Sequence, residues 1–160
     1  MNLKTILFPT DFSKPSEFAF EAAAAMARDH GARLVVLHVH QPELVYGEMI
    51  PLPPPEPEDY KEKIWQCFHK LEESDPGVRE LRVETRVEEG DATYNILTVA
   101  KDVNADMIIM GTHGRTGLRR LLMGSVAEEV LRKATCPVMT VKGPMSVMQE
   151  DAALAAAAGN

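Results

Sequence analysis

"MGTHGRTGLRRLLMGSVAEEV" (Met110–Val130) decides the fold of this chain. It holds four glycines, three arginines, two threonines and a serine between an apolar run, "MIIM" (107–110), and an amphipathic one, "SVAEEVLRK" (125–133). The skeleton is Gly111-x2-Gly114-x9-Gly124-Ser125. Gly111 stands at the end of a strand-like run and Gly124 at the start of a helix-like one. A helix amino terminus has unpaired N–H groups and a partial positive charge, so it suits a phosphate. Glycines let the backbone come close to an anion and can present several N–H donors to it. Ser125 can donate to a phosphate oxygen or cap its own helix. Arg115, Arg119 and Arg120 add positive charge. The same glycines also suit a plain tight connection between strand and helix, and the residues alone leave both readings open. A P-loop would carry Lys after its last glycine, but Ser125 and Val126 follow Gly124. The dinucleotide spacing G-x-G-x-x-G is absent as well.

Outward from this stretch the pattern alternates. "TILF" (Thr5–Phe8) reads as a buried strand stopped by Pro9. Ser13 is an N-cap candidate with Pro15 in the first turn, and Phe18, Ala22, Ala25 and Met26 predict an inward helix face that ends at His30–Gly31. "ARLVVLHVH" (32–40) predicts a second strand. Residues 41–58 contain six prolines and read as an extended surface excursion. Ile64, Cys67, Phe68 and Leu71 predict a helix, which "SDPG" (74–77) breaks. "LRVETRV" (81–87) alternates and predicts a strand with one face more exposed. Asp91 caps a third helix, with Ile96, Val99, Ala100 and Val103 inward. Met107–Met110 is a fourth strand. The helix after the glycines turns Ala127, Val130, Leu131 and Ala134 inward, and "CPVMTVK" supplies a fifth strand. Strands alternating with helices over short connections predict right-handed crossovers and a parallel sheet covered on both faces. In such folds ligands bind beyond the carboxyl ends of the strands, where strand order reverses.

Composition bounds the function. The chain has 160 residues, enough for one domain: residues 1–142, with 143–160 as a tail that is disordered or a short helix. A net charge of −7 argues against a general nucleic-acid or anionic-membrane binder. The first apolar run is too short for a signal peptide, and none spans a bilayer. Cys67 and Cys136 have no metal or redox spacing, which fits free thiols in a cytoplasmic protein. No grouping of residues predicts a metal site built by the protein itself.

The glycine skeleton followed by Val126, together with "ILFPTDFS" near one end and "CPVMTV" near the other, resembles the universal stress protein family over residues 3–142. The resemblance implies a three-layer α/β/α sandwich with a five-stranded parallel sheet in the order 3-2-1-4-5. It also implies a homodimer, and ATP as ligand, since members with this glycine signature typically bind it. Mg²⁺ would arrive carried by the phosphates. Asp11 then matches the carboxylate that holds the ribose hydroxyls; the alternative on its own residues is a helix or turn cap before Ser13. Pro9 and Thr10 match the wall near the adenine, and Val39 the position that reads the adenine edge. Gly111 matches the glycine under the ribose. Gly114, Gly124, Ser125 and Val126 match the phosphate binders. Met110 and Met123 replace more usual aliphatic residues and can pack against the base or the core. His113 is more simply a solvated neighbour of the site. His38 and His40 suit local hydrogen bonding.

Hydrolysis of ATP needs a positioned water and charge stabilisation at the γ-phosphate. No candidate base stands beside the glycines, and the ribose would occupy Asp11. The expectation is an ATP-binding stress or regulatory module with slow or no turnover. The alternatives are a weak ATPase or an enzyme that autophosphorylates Ser125 or Thr116, and a nucleotide-free dimeric adaptor. The 3-2-1-4-5 order puts the last strand at a sheet edge. There Val138, Met139, Thr140 and Val141 would pair with a second copy of the chain.

Overall fold

Five parallel strands form one sheet in the order β3-β2-β1-β4-β5, as expected. A computed structural model describes residues 3–41, 57–74, 76–112 and 123–143. Most of the Pro-rich excursion (42–56), the stretch 113–122 with Gly114, His113 and Thr116, and the tail beyond Gly143 lie outside the described residues. The elements are β1 (Thr5–Thr10), α1 (Lys14–His30), β2 (Arg33–His40), α2 (Pro57–Ser74), β3 (Arg82–Glu89), α3 (Ala92–Asp102), β4 (Met107–Gly111), α4 (Ser125–Lys133) and β5 (Val138–Val141). A short 3-10 turn (Pro76–Glu80) occupies the break predicted at "SDPG". No helix among the described residues is long and apolar enough to cross a membrane.

Period-two alternation sorts the strand residues onto two faces. Ile6, Phe8, Leu34, Val36 and Ile109 join Ala19, Phe20 and Ala23 of α1 and Ile64 and Phe68 of α2 in one core. Leu7, Val35, Leu37, Ile108 and Met110 join Ile96 and Val99 of α3 and Ala127 and Val130 of α4 in the other. Burying each such aliphatic or aromatic side chain contributes about 1.5–3 kcal/mol. Because both faces are covered, β1, β2 and β4 read as unbroken apolar runs. The edge strand β3 stays half exposed along its length.

Helix ends follow the sequence. Ser13 caps α1, and its C-terminus closes on Gly31 at φ 61°, a left-handed conformation that costs glycine little. Asp91 caps α3 by accepting the Tyr94 N–H at 2.7 Å. Two helix faces differ from expectation. On α1 the buried residues are Ala19, Phe20, Ala23, Ala24 and Ala27, not Phe18, Ala22, Ala25 and Met26, which are only half-buried. An alanine-rich helix has apolar residues all round, so its pattern does not single out a face. The closest approach goes to alanines at i, i+4 and i+8. On α4, Ala127 and Val130 are buried but Leu131 is 48% exposed, because α4 lies over the sheet edge and Leu131 falls on its outer flank. The side chain of Leu71 lies outside the described residues.

β1 also runs two residues past its expected end, through Pro9 to Thr10, paired with β2 throughout (Pro9 opposite Leu37, Thr10 opposite His38). The Asp106 N–H donates to the Thr5 carbonyl, so Thr5, Leu7 and Pro9 turn their backbone groups towards β4. β4 pairs with β1 only at Ile6 and Leu7. The proline's missing donor therefore falls on the β4 side, and the β1–β4 ladder ends with it.

At the opposite, amino end of the sheet, Asp106 Oδ2 accepts the Lys4 N–H at 2.8 Å and the Thr5 N–H at 2.9 Å. These two amides, Lys4 foremost, hold the carboxyl below the usual aspartate range. A depressed folded pKa contributes stability above the unfolded pKa that is lost as pH falls through the folded one. Asp106→Ala should lower the unfolding free energy by about 1 kcal/mol at pH 7, allowing for solvent screening. The deficit should shrink as pH drops below the ordinary aspartate range. Denaturant melts of both proteins at neutral and acid pH check this, and an equal deficit at both would contradict it.

Candidate functional site

Strand order reverses between β1 and β4, since the chain builds outward from β1 through β2 and β3 on one side and through β4 and β5 on the other. β1–β4 pairing ends at Leu7 and Ile108, and the carboxyl ends of the two strands flank the position where sheets of this kind form their ligand crevice. β1 contributes Pro9 and Thr10, β4 contributes Met110 and Gly111, and β2 places Val39 alongside.

The turn leaving β1 is bound up by its own side chains. The Phe12 N–H donates to Thr10 Oγ1 at 3.1 Å. Asp11 Oδ1 accepts the Ser13 N–H at 3.1 Å and the Ser13 hydroxyl at 2.6 Å. Thr10 Oγ1 and Ser16 Oγ share a hydrogen bond at 3.0 Å. The turn-capping role open to Asp11 on sequence grounds is therefore present in the structure, at the mouth of the crevice. Phe12 sits at φ 61°, which costs a non-glycine residue on the order of 1 kcal/mol. Its ring lies 4.7 Å from that of His38 and stacks at 6.5 Å, tilted by only 7°, against that of Tyr60 from α2. His38 and Tyr60 rings are 4.4 Å apart. The local hydrogen bonding expected of the two histidines is found: His38 Nδ1–H donates to the Thr10 carbonyl at 2.9 Å, and the Tyr60 hydroxyl bonds His40 Nδ1 at 2.6 Å.

On the β4 side, the Thr112 N–H donates to the Val141 carbonyl at 3.0 Å, and the Thr112 carbonyl accepts the Gly124 N–H at 2.7 Å. That second bond pins the two ends of the glycine stretch together, so Gly111 and the start of α4 become neighbours. Gly124 is the N-cap of α4 with φ −71° and ψ 153°, and among the described residues no side chain caps it. α1 and α3 each have a side-chain cap. The exposed Ser125 opens α4. Between the β1 turn and this helix end, Val39, Met123 and Val126 pack on the same apolar cluster as Met110, which is 6% exposed.

The structure thus gathers Pro9, Thr10, Asp11, Val39, Met110, Gly111, Gly124, Ser125 and Val126 at one end of the sheet. Gly114, the remaining candidate, lies outside the described residues. Phe12 and Tyr60 were not singled out by sequence. Tyr60 had a signal, since it stands one turn before Ile64 and continues the α2 stripe. Phe12 had none, because no pattern announces a phenylalanine in left-handed backbone.

A doubly wound parallel sheet with a crevice at its topological switch point, bordered by a carboxylate turn and a glycine-capped helix, defines a class of ligand-binding α/β proteins. Residues 2–142 match the model of the universal stress protein family, and the chain belongs to that family. It is 32% identical over 152 residues to the universal stress protein MJ0531 of Methanocaldococcus jannaschii, covering 88% of this chain and 83% of that one. The solved structure of the hypothetical protein MJ0577, from the same organism, superposes with a TM-score of 0.76 at 31% identity, over 91% of this chain and 99% of that one. The universal stress protein from Archaeoglobus fulgidus in complex with dAMP shares the fold, with a TM-score of 0.62 at 23% identity, over 89% of this chain and 100% of that one.

Proposed function

We propose that the chain binds an adenine nucleotide, ATP, in the crevice between β1 and β4, and acts as a dimeric stress-response or regulatory module with slow or no hydrolysis. The observation that carries this is the pairing of groups at the switch point. A carboxylate turn closes β1, an uncapped helix start follows β4, and an apolar surface lies between them. A nucleotide has the complementary parts: hydroxyls for Asp11, a base for the surface of Val39 and Met110, and phosphates for Gly124, Ser125 and Val126. The dAMP complex of the Archaeoglobus relative supports the adenine assignment. Mg²⁺ would enter on the phosphates, needing no site of its own. With Asp11 engaged by the ribose it is no general base, which favours binding over turnover.

Dimerisation would use β5. Ile108 N–H donates to the Pro137 carbonyl and Thr112 N–H to that of Val141. Alternation then turns the backbone groups of Pro137, Met139 and Val141 towards β4 and those of Val138 and Thr140 outward. No described strand lies beyond β5. A twofold axis would pair this edge with its own copy.

Two measurements test these readings. Gly124 has backbone angles open to any residue, so Gly124→Val should fold. Its side chain should obstruct the phosphates and weaken ATP at least about tenfold, a loss of about 1.4 kcal/mol or more in calorimetric titration. Wild-type affinity in the folded variant would remove the phosphate site. Thr140→Pro deletes an outward N–H and should sediment as a folded monomer where the parent sediments as a dimer. A monomeric parent at micromolar concentration, or a dimeric variant, would refute the β5 pairing.

A further inference from the structure

Asp11 is carried by a turn that cannot hold itself. Phe12, the next residue, occupies left-handed backbone at φ 61°, and a phenylalanine released from its surroundings relaxes to negative φ. That relaxation would swing the Asp11 carboxylate. What opposes it lies on the other face of the sheet from the crevice. Phe12 packs with the α1–α2 core, whereas Val39, Met110 and Val126 pack with the α3–α4 core. The Phe12 ring lies against the His38 ring, which lies in turn against the Tyr60 ring, and the Phe12 and Tyr60 planes are nearly parallel. Tyr60 is 7% exposed and is tied to β2 through His40. The Lys63 ammonium stands 5.3 Å from the Tyr60 ring centre and 6.0 Å from that of Phe12, which favours keeping the two faces together.

We infer that Phe12 and Tyr60 are positioning residues for the Asp11 carboxylate: their stacked rings clamp, from the far side of the sheet, the left-handed turn that aims it into the crevice. This rests on the proposed role of Asp11 as acceptor for ribose hydroxyls. It goes further by making α2 part of the ribose-recognition apparatus although α2 does not border the crevice.

The test compares ATP with 2′,3′-dideoxy-ATP, which lacks the hydroxyls. The readout is the ratio of their dissociation constants on purified full-length protein. Wild type should prefer ATP by roughly tenfold or more, as two hydrogen bonds to a charged acceptor require, and Asp11→Ala should bring the ratio close to one. Phe12→Gly keeps left-handed backbone accessible but removes the ring, and Tyr60→Ala removes the other ring without touching the turn. Both should bring the ratio to within about threefold of one, with the loss falling mainly on ATP. Tyr60→Phe should keep the wild-type ratio, since the ring does the clamping. If Phe12→Gly fails to fold, Tyr60→Ala against Tyr60→Phe decides alone. A wild-type ratio in folded Tyr60→Ala, or an equal weakening of both nucleotides, would overturn the assignment. Wild type that binds both nucleotides equally would remove the ribose role of Asp11 and the assignment with it. Wild type that binds neither would remove the proposed function itself.

Discussion

The missing N–H of Pro9 is the constraint on which the site depends. β1 is the central strand and must pair on both sides to be buried without cost. It pairs with β2 along its whole length but with β4 only over Ile6 and Leu7. At Pro9 the backbone faces β4 with nothing to donate. A proline there ends the β1–β4 ladder at the switch point, where sheets of this kind bind their ligands. A residue with an N–H at that point could carry the ladder with β4 further. The same proline keeps its carbonyl and its φ, so β1 continues to Thr10 and delivers Asp11 beyond the sheet.

The two faces divide the work. Alternation along the end of β2 sends His38 and His40 to the α1–α2 side and Val39 to the α3–α4 side. His38 and His40 bond Thr10 and Tyr60 and fix the β1 turn. Val39 joins the apolar surface that borders the crevice. Rigidity is thus supplied from one side of the sheet and the proposed ligand surface from the other, with Asp11 at the junction. The strand edges differ in a matching way. β3 carries Arg82, Glu84, Arg86, Glu88 and Glu89, with Glu84 paired to Arg33 and Arg86, and a charged edge resists further strand pairing. β5 offers Val138, Met139 and Val141.

The layered fold was legible because strands buried on both faces appear as unbroken apolar runs and because capping chemistry is local. Ser13, Gly31 and Asp91 mark their helix ends without reference to anything distant. What was misread depends on neighbours the sequence does not display. Pro9 looked like a strand end because a proline's effect depends on which side its nitrogen faces. Phe18 and Met26 looked inward because an alanine-rich helix has no single apolar stripe. Leu131 looked inward because the helical period does not reveal that α4 lies at the margin of the sheet. The candidate site was named from the glycine spacing and the "PTDFS" turn taken together; adjacency of β1 and β4 and the bond between Thr112 and Gly124 bring those segments to one end of the sheet. Tyr60 could have been found as a continuation of the α2 stripe, but its pairing with Phe12 could not, because a stack between a loop and a distant helix leaves no spacing in the chain.

The proposed occupant of this crevice is an adenine nucleotide. The most direct measurement is the nucleotide released on denaturing protein purified without added nucleotide, identified and quantified chromatographically against protein concentration. An adenine nucleotide approaching one per chain, ATP foremost, is expected, with the Asp11→Ala protein largely emptied under the same purification. Protein that releases none, and that gives no binding signal when millimolar ATP and Mg²⁺ are added back, would contradict it.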